Sequence, residues 1–260
     1  MARSVAILGG MGRRAGAALF SLVLAACSDT ATSSVAPAMP SEPTTPSPDA
    51  QSILAKMSER YRTANTYSDQ GTFRSEWTRR NGERGVDRAK FRTRWSKPGR
   101  LWFELEDESD DADDADDRIV VWTPRPGVTK RLFLGNVEDM ESLDDALGAL
   151  HGVSHGVTGL ASRWLVDGGC RCSGKYELRA TSACGRATCF ELVASLSSGM
   201  HVTLYVSTED HSLRRCVVRW MKDGKPGGED TIEIEPTFDA PIDDAAFDLK
   251  VSSTPDPPAR

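Results

Sequence analysis

The spacing of apolar residues changes period three times along the chain, and each change predicts a different element. From Ser52 to Thr63, the residues Ile53, Leu54, Met57 and Tyr61 recur at helical spacing, which predicts an amphipathic opening helix. From Tyr67 the period is two. Tyr67, Gly71, Phe73, Ser75 and Trp77 share one face, and Asn81-Gly82, a pair that accepts the left-handed backbone of a tight hairpin, turns the chain back. In the next strand Ala89, Phe91, Thr93 and Trp95 face one way while Arg88, Lys90, Arg92 and Arg94 face the other. One dry face and one wet face are what an antiparallel sheet permits.

Lys97-Pro98-Gly99 turns the chain into Leu101-Trp102-Phe103-Glu104-Leu105, and further strands are expected at Arg118 to Thr123 and Val128 to Leu134. Helical spacing returns over Glu141 to Leu150. Ser142 is the expected N-cap, Asp144 and Asp145 sit in the first turn where the macrodipole favours negative charge, and Leu143, Leu147 and Leu150 form the buried stripe. A second helix is expected over Thr158 to Leu165, burying Leu160 and Trp164. From Tyr176 strands resume at Tyr176 to Thr181, Cys189 to Leu196, Val202 to Ser207, Leu213 to Met221 and Thr231 to Glu235, with Asp223-Gly224 as another hairpin turn. The fold class is therefore mainly β: a strongly curved antiparallel half-barrel with an N-terminal helix and a short helical plug, curled because its apolar face must be shielded.

The N-terminal residues read as an address. Arg13 and Arg14 precede the apolar run Ala17-Ala18-Leu19-Phe20-Ser21-Leu22-Val23-Leu24, and small residues follow at Ala25 and Ala26. This is the order of a signal peptide, with Met1 or Met11 as the start, and the run is shorter than the roughly 20 apolar residues of a transmembrane helix. Leu24-Ala25-Ala26-Cys27 resembles the bacterial lipobox, which makes Cys27 the expected site of palmitate-type acylation and the membrane the expected partner of its acyl chains. Val5 to Ala15 also spells a G-x-G-x-x-A loop, but the second strand and acidic residue of a dinucleotide site do not follow. Residues 27–48 are expected to form a Pro/Ser/Thr-rich tether, 49–250 the β domain and 251–260 a disordered tail. Ser28 after the lipidated cysteine favours the outer membrane, facing the periplasm.

The whole chain carries −6, and Arg3, Arg13 and Arg14 leave with residues 1–26, so the mature part is near −9. That balance excludes the basic footprint of a nucleic-acid binder. Besides Cys27 there are five cysteines, and export places them where disulfides persist. Cys184 and Cys189 flank a four-residue stretch between two strands and are expected to pair, while Cys170, Cys172 and Cys216 are left open. Their spacing lacks the paired knuckles of a zinc site.

Several segments taken together, namely the helix-then-strand from Ile53 to Trp77, Lys97 to Glu104, and above all His201-Val202-Thr203-Leu204-Tyr205-Val206-Ser207 running on to Arg215, resemble the LolA/LolB-like superfamily. Pro241-Ile242-Asp243-Asp244-Ala245-Ala246-Phe247 is similar to that family's final turn, in which a buried aromatic pins the last segment. The resemblance covers about Ile53 to Leu249 and implies an incomplete barrel whose helices plug an apolar cavity that binds lipid or an acylated protein. The cavity arginine and protruding apolar loop of its lipoprotein-sorting members match no numbered position here.

The candidate ligand-binding residues are Phe73, Trp77, Phe91, Trp95, Leu147, Leu150 and Trp164, with Trp102, Phe103, Trp122 and Trp220 as further aromatic candidates, because concave sites are mostly apolar with aromatic walls. No cofactor and no metal is expected. Gly152-Val153-Ser154-His155-Gly156 spells a nucleophile elbow, yet a helix rather than a strand is expected before it, so no enzyme is predicted. His151 and His155 lack the Glu of H-E-x-x-H, and the eight acidic residues of Asp107 to Asp117 lack the glycine turn of a calcium loop. Two functions remain: a carrier for a hydrophobic ligand, or an anchored interaction and sensing module. An open apolar groove favours the first, and a groove packed shut by the residues 143–164 favours the second.

Overall fold

The computed structural model describes residues 48–249 except for residues 80, 109–117, 152–153, 155, 167–174, 197–198 and 223–224; the side chains of residues 150, 151, 163, 166, 222, 225 and 226 are likewise outside the description. The expected signal peptide, Cys27, the tether, most of the acidic segment, Cys170 and Cys172 therefore lie outside the described residues.

The opening helix α1 runs Ala50–Thr63, two residues earlier than the apolar spacing predicts. Asp49 is the reason: its carboxylate accepts from the Ser52 backbone N–H at 2.8 Å, which satisfies an orphan donor of the first turn. Ile53, Met57 and Tyr61 form its buried stripe.

Eleven strands follow: β1 Thr66–Thr78, β2 Arg84–Ser96, β3 Arg100–Asp107, β4 Arg118–Arg125, β5 Val128–Phe133, β6 Asn136–Met140, β7 Glu177–Cys184, β8 Ala187–Ser195, β9 Met200–Ser207, β10 Leu213–Lys222 and β11 Lys225–Phe238. They make one antiparallel sheet in the order β6-β5-β4-β3-β2-β1-β11-β10-β9-β8-β7. The last strand pairs with the first, Tyr67 opposite Phe238 and Phe73 opposite Ile232, and this ladder joins the two halves of the chain. Among the described residues β6 and β7 share no ladder, so the sheet stays open. Helices α2 (Leu143–His151) and α3 (Leu160–Val166), with a 3-10 turn at Val157–Gly159 between them, belong to the stretch that leaves one sheet edge and returns at the other.

A flat sheet of this many strands would be about 50 Å wide. Yet Phe133 and Met140 near one edge, Leu178 and Phe190 near the other, and the buried residues of all three helices pack into a single apolar cluster. The sheet is therefore strongly curved around its helices. Its opposite face carries a smaller cluster, in which Phe247 covers Trp102, Val120 and Trp122.

Strand β6 is absent from the pattern-based expectation, and its residues show why: four of the five are exposed, so no alternation marks it. The segment from His201 to Arg215 builds the β9–β10 hairpin, whose turn is tied by Asp210. Its carboxylate accepts from the Ser212 backbone N–H at 3.0 Å and from Arg214 at 2.9 Å.

Candidate functional site

The concave face is where the predicted ligand-binding residues meet. Phe73 on β1, Phe91 and Trp95 on β2, Leu147 on α2 and Trp164 on α3 all belong to the main cluster and are buried. Tyr61 brings α1 and α3 together there. Its ring meets Trp164 edge-on at 5.1 Å, and the same ring lies 5.4 Å from Tyr67 and 5.1 Å from Phe238. Such edge-to-face contacts suit aromatic quadrupoles and fix the helices against the sheet.

Three expectations need correction. Trp77 has the parity of the concave face but stands beyond the core near the hairpin end, half-buried against Gly85, with its indole N–H donating to Asp87 at 2.8 Å and the Arg79 guanidinium 4.8 Å from its ring. Trp102 and Trp122 point away from the concavity, because residues 102, 120 and 122 have the opposite parity to Leu101, Phe103, Ile119 and Val121. Trp220 is half-buried over Gly228, outside the main cluster. The side chain of Leu150 is outside the described residues.

Alternation also places on this face one functional candidate that is not among the predicted site residues. Asp69 shares the parity of Tyr67 and Phe73, and it is buried. Tyr67 donates its hydroxyl to Asp69 Oδ2 at 2.6 Å, whereas Asp69 Oδ1 is buried without a hydrogen-bond partner. Burial pushes the Asp69 carboxyl up to about 6, held from rising further by hydrogen bonds from Tyr67 and Thr93. Burial also raises the Tyr67 phenol, with the Asp69 charge adding to it.

The Gly152 to Gly156 pattern does not stand in the setting of a nucleophile elbow. Ser154 is buried after a helix rather than at the end of a strand, and its hydroxyl shares a 2.9 Å hydrogen bond with Thr158. His151 and His155 have side chains outside the described residues. A groove of about 650 Å³ and another of about 430 Å³ lie on the charged face and share Arg92 and Arg94. Their arginines are engaged: Arg118 pairs with Glu104 at 2.6 Å, Arg92 approaches the same carboxylate at 3.9 Å, and Arg94 donates to the Ala246 carbonyl at 3.0 Å. The smaller groove is also lined by Asp69, the carboxylate with the unpartnered Oδ1.

The structure joins Cys184 to Cys189 by a disulfide, with Cα atoms 6.0 Å apart. The two are not directly opposite, since Cys184 pairs with Ala187 and Cys189 with Ser182; they form the diagonal pair of a two-residue hairpin. Cys216 is a buried free thiol, pushed up to about 12 by burial and the charge of Asp230.

These features define a mainly β protein with an open, curved antiparallel sheet whose concave face packs against helices. No family model and no curated protein matches the chain. Among solved structures it is similar to MucB in the Pseudomonas aeruginosa MucA/MucB complex, at 15% identity and TM-score 0.42, covering 76% of this chain and 59% of that one. It is also similar to LprF from Mycobacterium bovis, at 12% identity and TM-score 0.40, covering 75% and 94%. A LolA superfamily protein from Nitrosomonas europaea matches at 10% identity and TM-score 0.34, covering 78% and 99%. The chain spans about three fifths of the length of the MucB chain. At these scores the likenesses carry no argument about function, which rests on the chain's own residues.

Proposed function

We infer that the chain is an extracytoplasmic lipoprotein, anchored at the outer membrane through acyl chains on Cys27, whose LolA/LolB-like domain works by binding a partner rather than by catalysis. The order of charges, apolar run and small residues before Cys27 supports the anchor. The Cys184–Cys189 disulfide fits an oxidising compartment. No described helix is long and apolar enough to cross a membrane.

The observation that carries the choice between carrier and interaction module is the filled concavity. Ile53, Met57 and Tyr61 of α1, Ala146 and Leu147 of α2, and Ala161, Trp164 and Leu165 of α3 occupy the space where an apolar ligand would lie. The domain is therefore an anchored interaction and sensing module in its closed form. A carrier reading is favoured by the modesty of the cover, since α2 and α3 are short and Leu143 and Leu160 are only partly buried. A ligand would then enter by displacing them.

Two measurements test the proposal. Radioactive palmitate labels the native chain and not Cys27→Ser; labelling of the mutant removes the anchor. Titration of the purified chain with a fluorescent fatty acid gives no saturable binding while the cover is closed; saturable binding displaced by unlabelled fatty acid makes it a carrier.

A further inference from the structure

Asp69 is a buried carboxylate in an aromatic setting, and it is placed where the cover is fastened to the sheet. The groups that face it can be named element by element. From β1, Tyr67 donates its hydroxyl to Oδ2 at 2.6 Å. From β2, Thr93 is its directly paired neighbour and hydrogen-bonds it. From β11, its paired neighbour is Pro236, which has no ionisable group and no backbone N–H. From α1, Tyr61 is hydrogen-bonded to Tyr67 and feels the charge of Asp69. Asp210, in the β9–β10 turn, is the other carboxylate felt by Tyr61, and it is paired with Arg214. No cation within salt-bridge distance of Asp69 is found among the described residues.

The hydroxyls and the carboxylate thus form a line, Tyr61 to Tyr67 to Asp69 to Thr93, that ties α1 to β1 and β2. Tyr61 extends the tie to α3 through its ring contact with Trp164. A protonated Asp69 leaves only a neutral group unpartnered at Oδ1. An ionised one, although Tyr67 and Thr93 hydrogen-bond it, leaves a buried charge without a counter-ion and without a donor at Oδ1, which costs more. Opening the cover admits water to Oδ1 and relieves that cost.

We propose that the Tyr61–Tyr67–Asp69 line is a proton-operated latch, which holds α1 and α3 down on the concave sheet while Asp69 is protonated and loosens them when Asp69 ionises. The latch regulates the concavity assigned above and rests on the reading that this concavity is closed by its own helices. The direction follows from linkage. A carboxyl raised in the closed form stabilises that form fully below its ordinary value of 3.8, and the stabilisation is lost as pH rises through about 6. Between pH 5 and pH 7.5 the opening equilibrium should increase about tenfold if opening returns Asp69 to its ordinary value.

Amide hydrogen exchange of the purified full chain, read by mass spectrometry and corrected for intrinsic rates, tests this. Protection of α1 and α3 should fall about tenfold from pH 5 to pH 7.5, while β1 and β11 hold theirs. Asp69→Asn keeps an acceptor for Tyr67 and cannot ionise, so its α1 protection should be flat over this range. Tyr67→Phe cuts the line between Asp69 and α1, so its α1 protection should likewise be flat over this range; this variant decides the question if Asp69→Asn does not fold. The latch is overturned if wild-type α1 is equally protected at both pH values, or if either variant keeps the wild-type profile. An α1 unprotected at every pH overturns the latch and the closed concavity together, whereas uniform protection leaves the closed concavity standing.

Discussion

The ring of Phe91 stands in the space that a Cβ on Gly71 would need, and the carbonyl oxygen of Glu233 borders the same space. Gly71 lies between Phe91 on β2 and Ile234 on β11, at the seam where the two halves of the sheet meet. Backbone on one side cannot withdraw, so Gly71→Ala should destabilise by about 1–3 kcal/mol, the usual cost of overpacking. Gly148 on α2 has open space around it, and Gly148→Ala should instead stabilise by about 0.5–1 kcal/mol. Urea unfolding of the pair checks both signs. A neutral Gly71→Ala would mean that the ring swings aside freely.

Phe247 is fully buried over Trp102, Val120 and Trp122, and the Arg100 guanidinium lies 4.4 Å from its ring. Phe247→Ala should cost about 3–5 kcal/mol and uncover both indoles. Tryptophan emission should therefore shift to longer wavelength before the sheet unfolds. Emission and stability both unchanged would show that the C-terminal turn does not pin this face.

The Cys184–Cys189 bridge closes a short loop, for which the chain-entropy account gives about 2 kcal/mol. The double variant Cys184→Ser/Cys189→Ser should lose about that much. Peptide mapping without reduction should find neither cysteine alkylated in native protein. Cys216, buried and with its thiol raised, should react only after denaturation, since the thiolate is the nucleophile. Rapid alkylation of native Cys216 would contradict its burial.

The sheet was legible in the sequence because its strands are half-dry: residues 89, 91, 93 and 95 alternate with charged neighbours, and β2 follows that alternation from Ala89 to its end. Strand β6 was illegible for the converse reason, being a short edge strand with no buried side. The candidate site was legible in part. Phe73, Phe91, Trp95, Leu147 and Trp164 do converge, because period fixes which face a residue takes. Period does not say which face of β3 and β4 looks inward, so it could not separate Trp102 and Trp122, which pack on the opposite face, from the other aromatic candidates. Nor does it say where a curved face ends, which misplaced Trp77. That α1 fills the concavity beside α2 and α3 is a matter of long-range packing, which local spacing does not encode.

The filled concavity is tested most directly by extracting purified chain with organic solvent and analysing both fractions by mass spectrometry. Covalent acyl groups stay with the polypeptide at Cys27, whereas a ligand held in the sheet partitions into the solvent. The account predicts acyl mass on the polypeptide and no equimolar lipid in the extract from protein purified at pH 5. A lipid recovered at one per chain under those conditions would contradict it, since the space it needs is already occupied by Met57, Tyr61, Leu147 and Trp164.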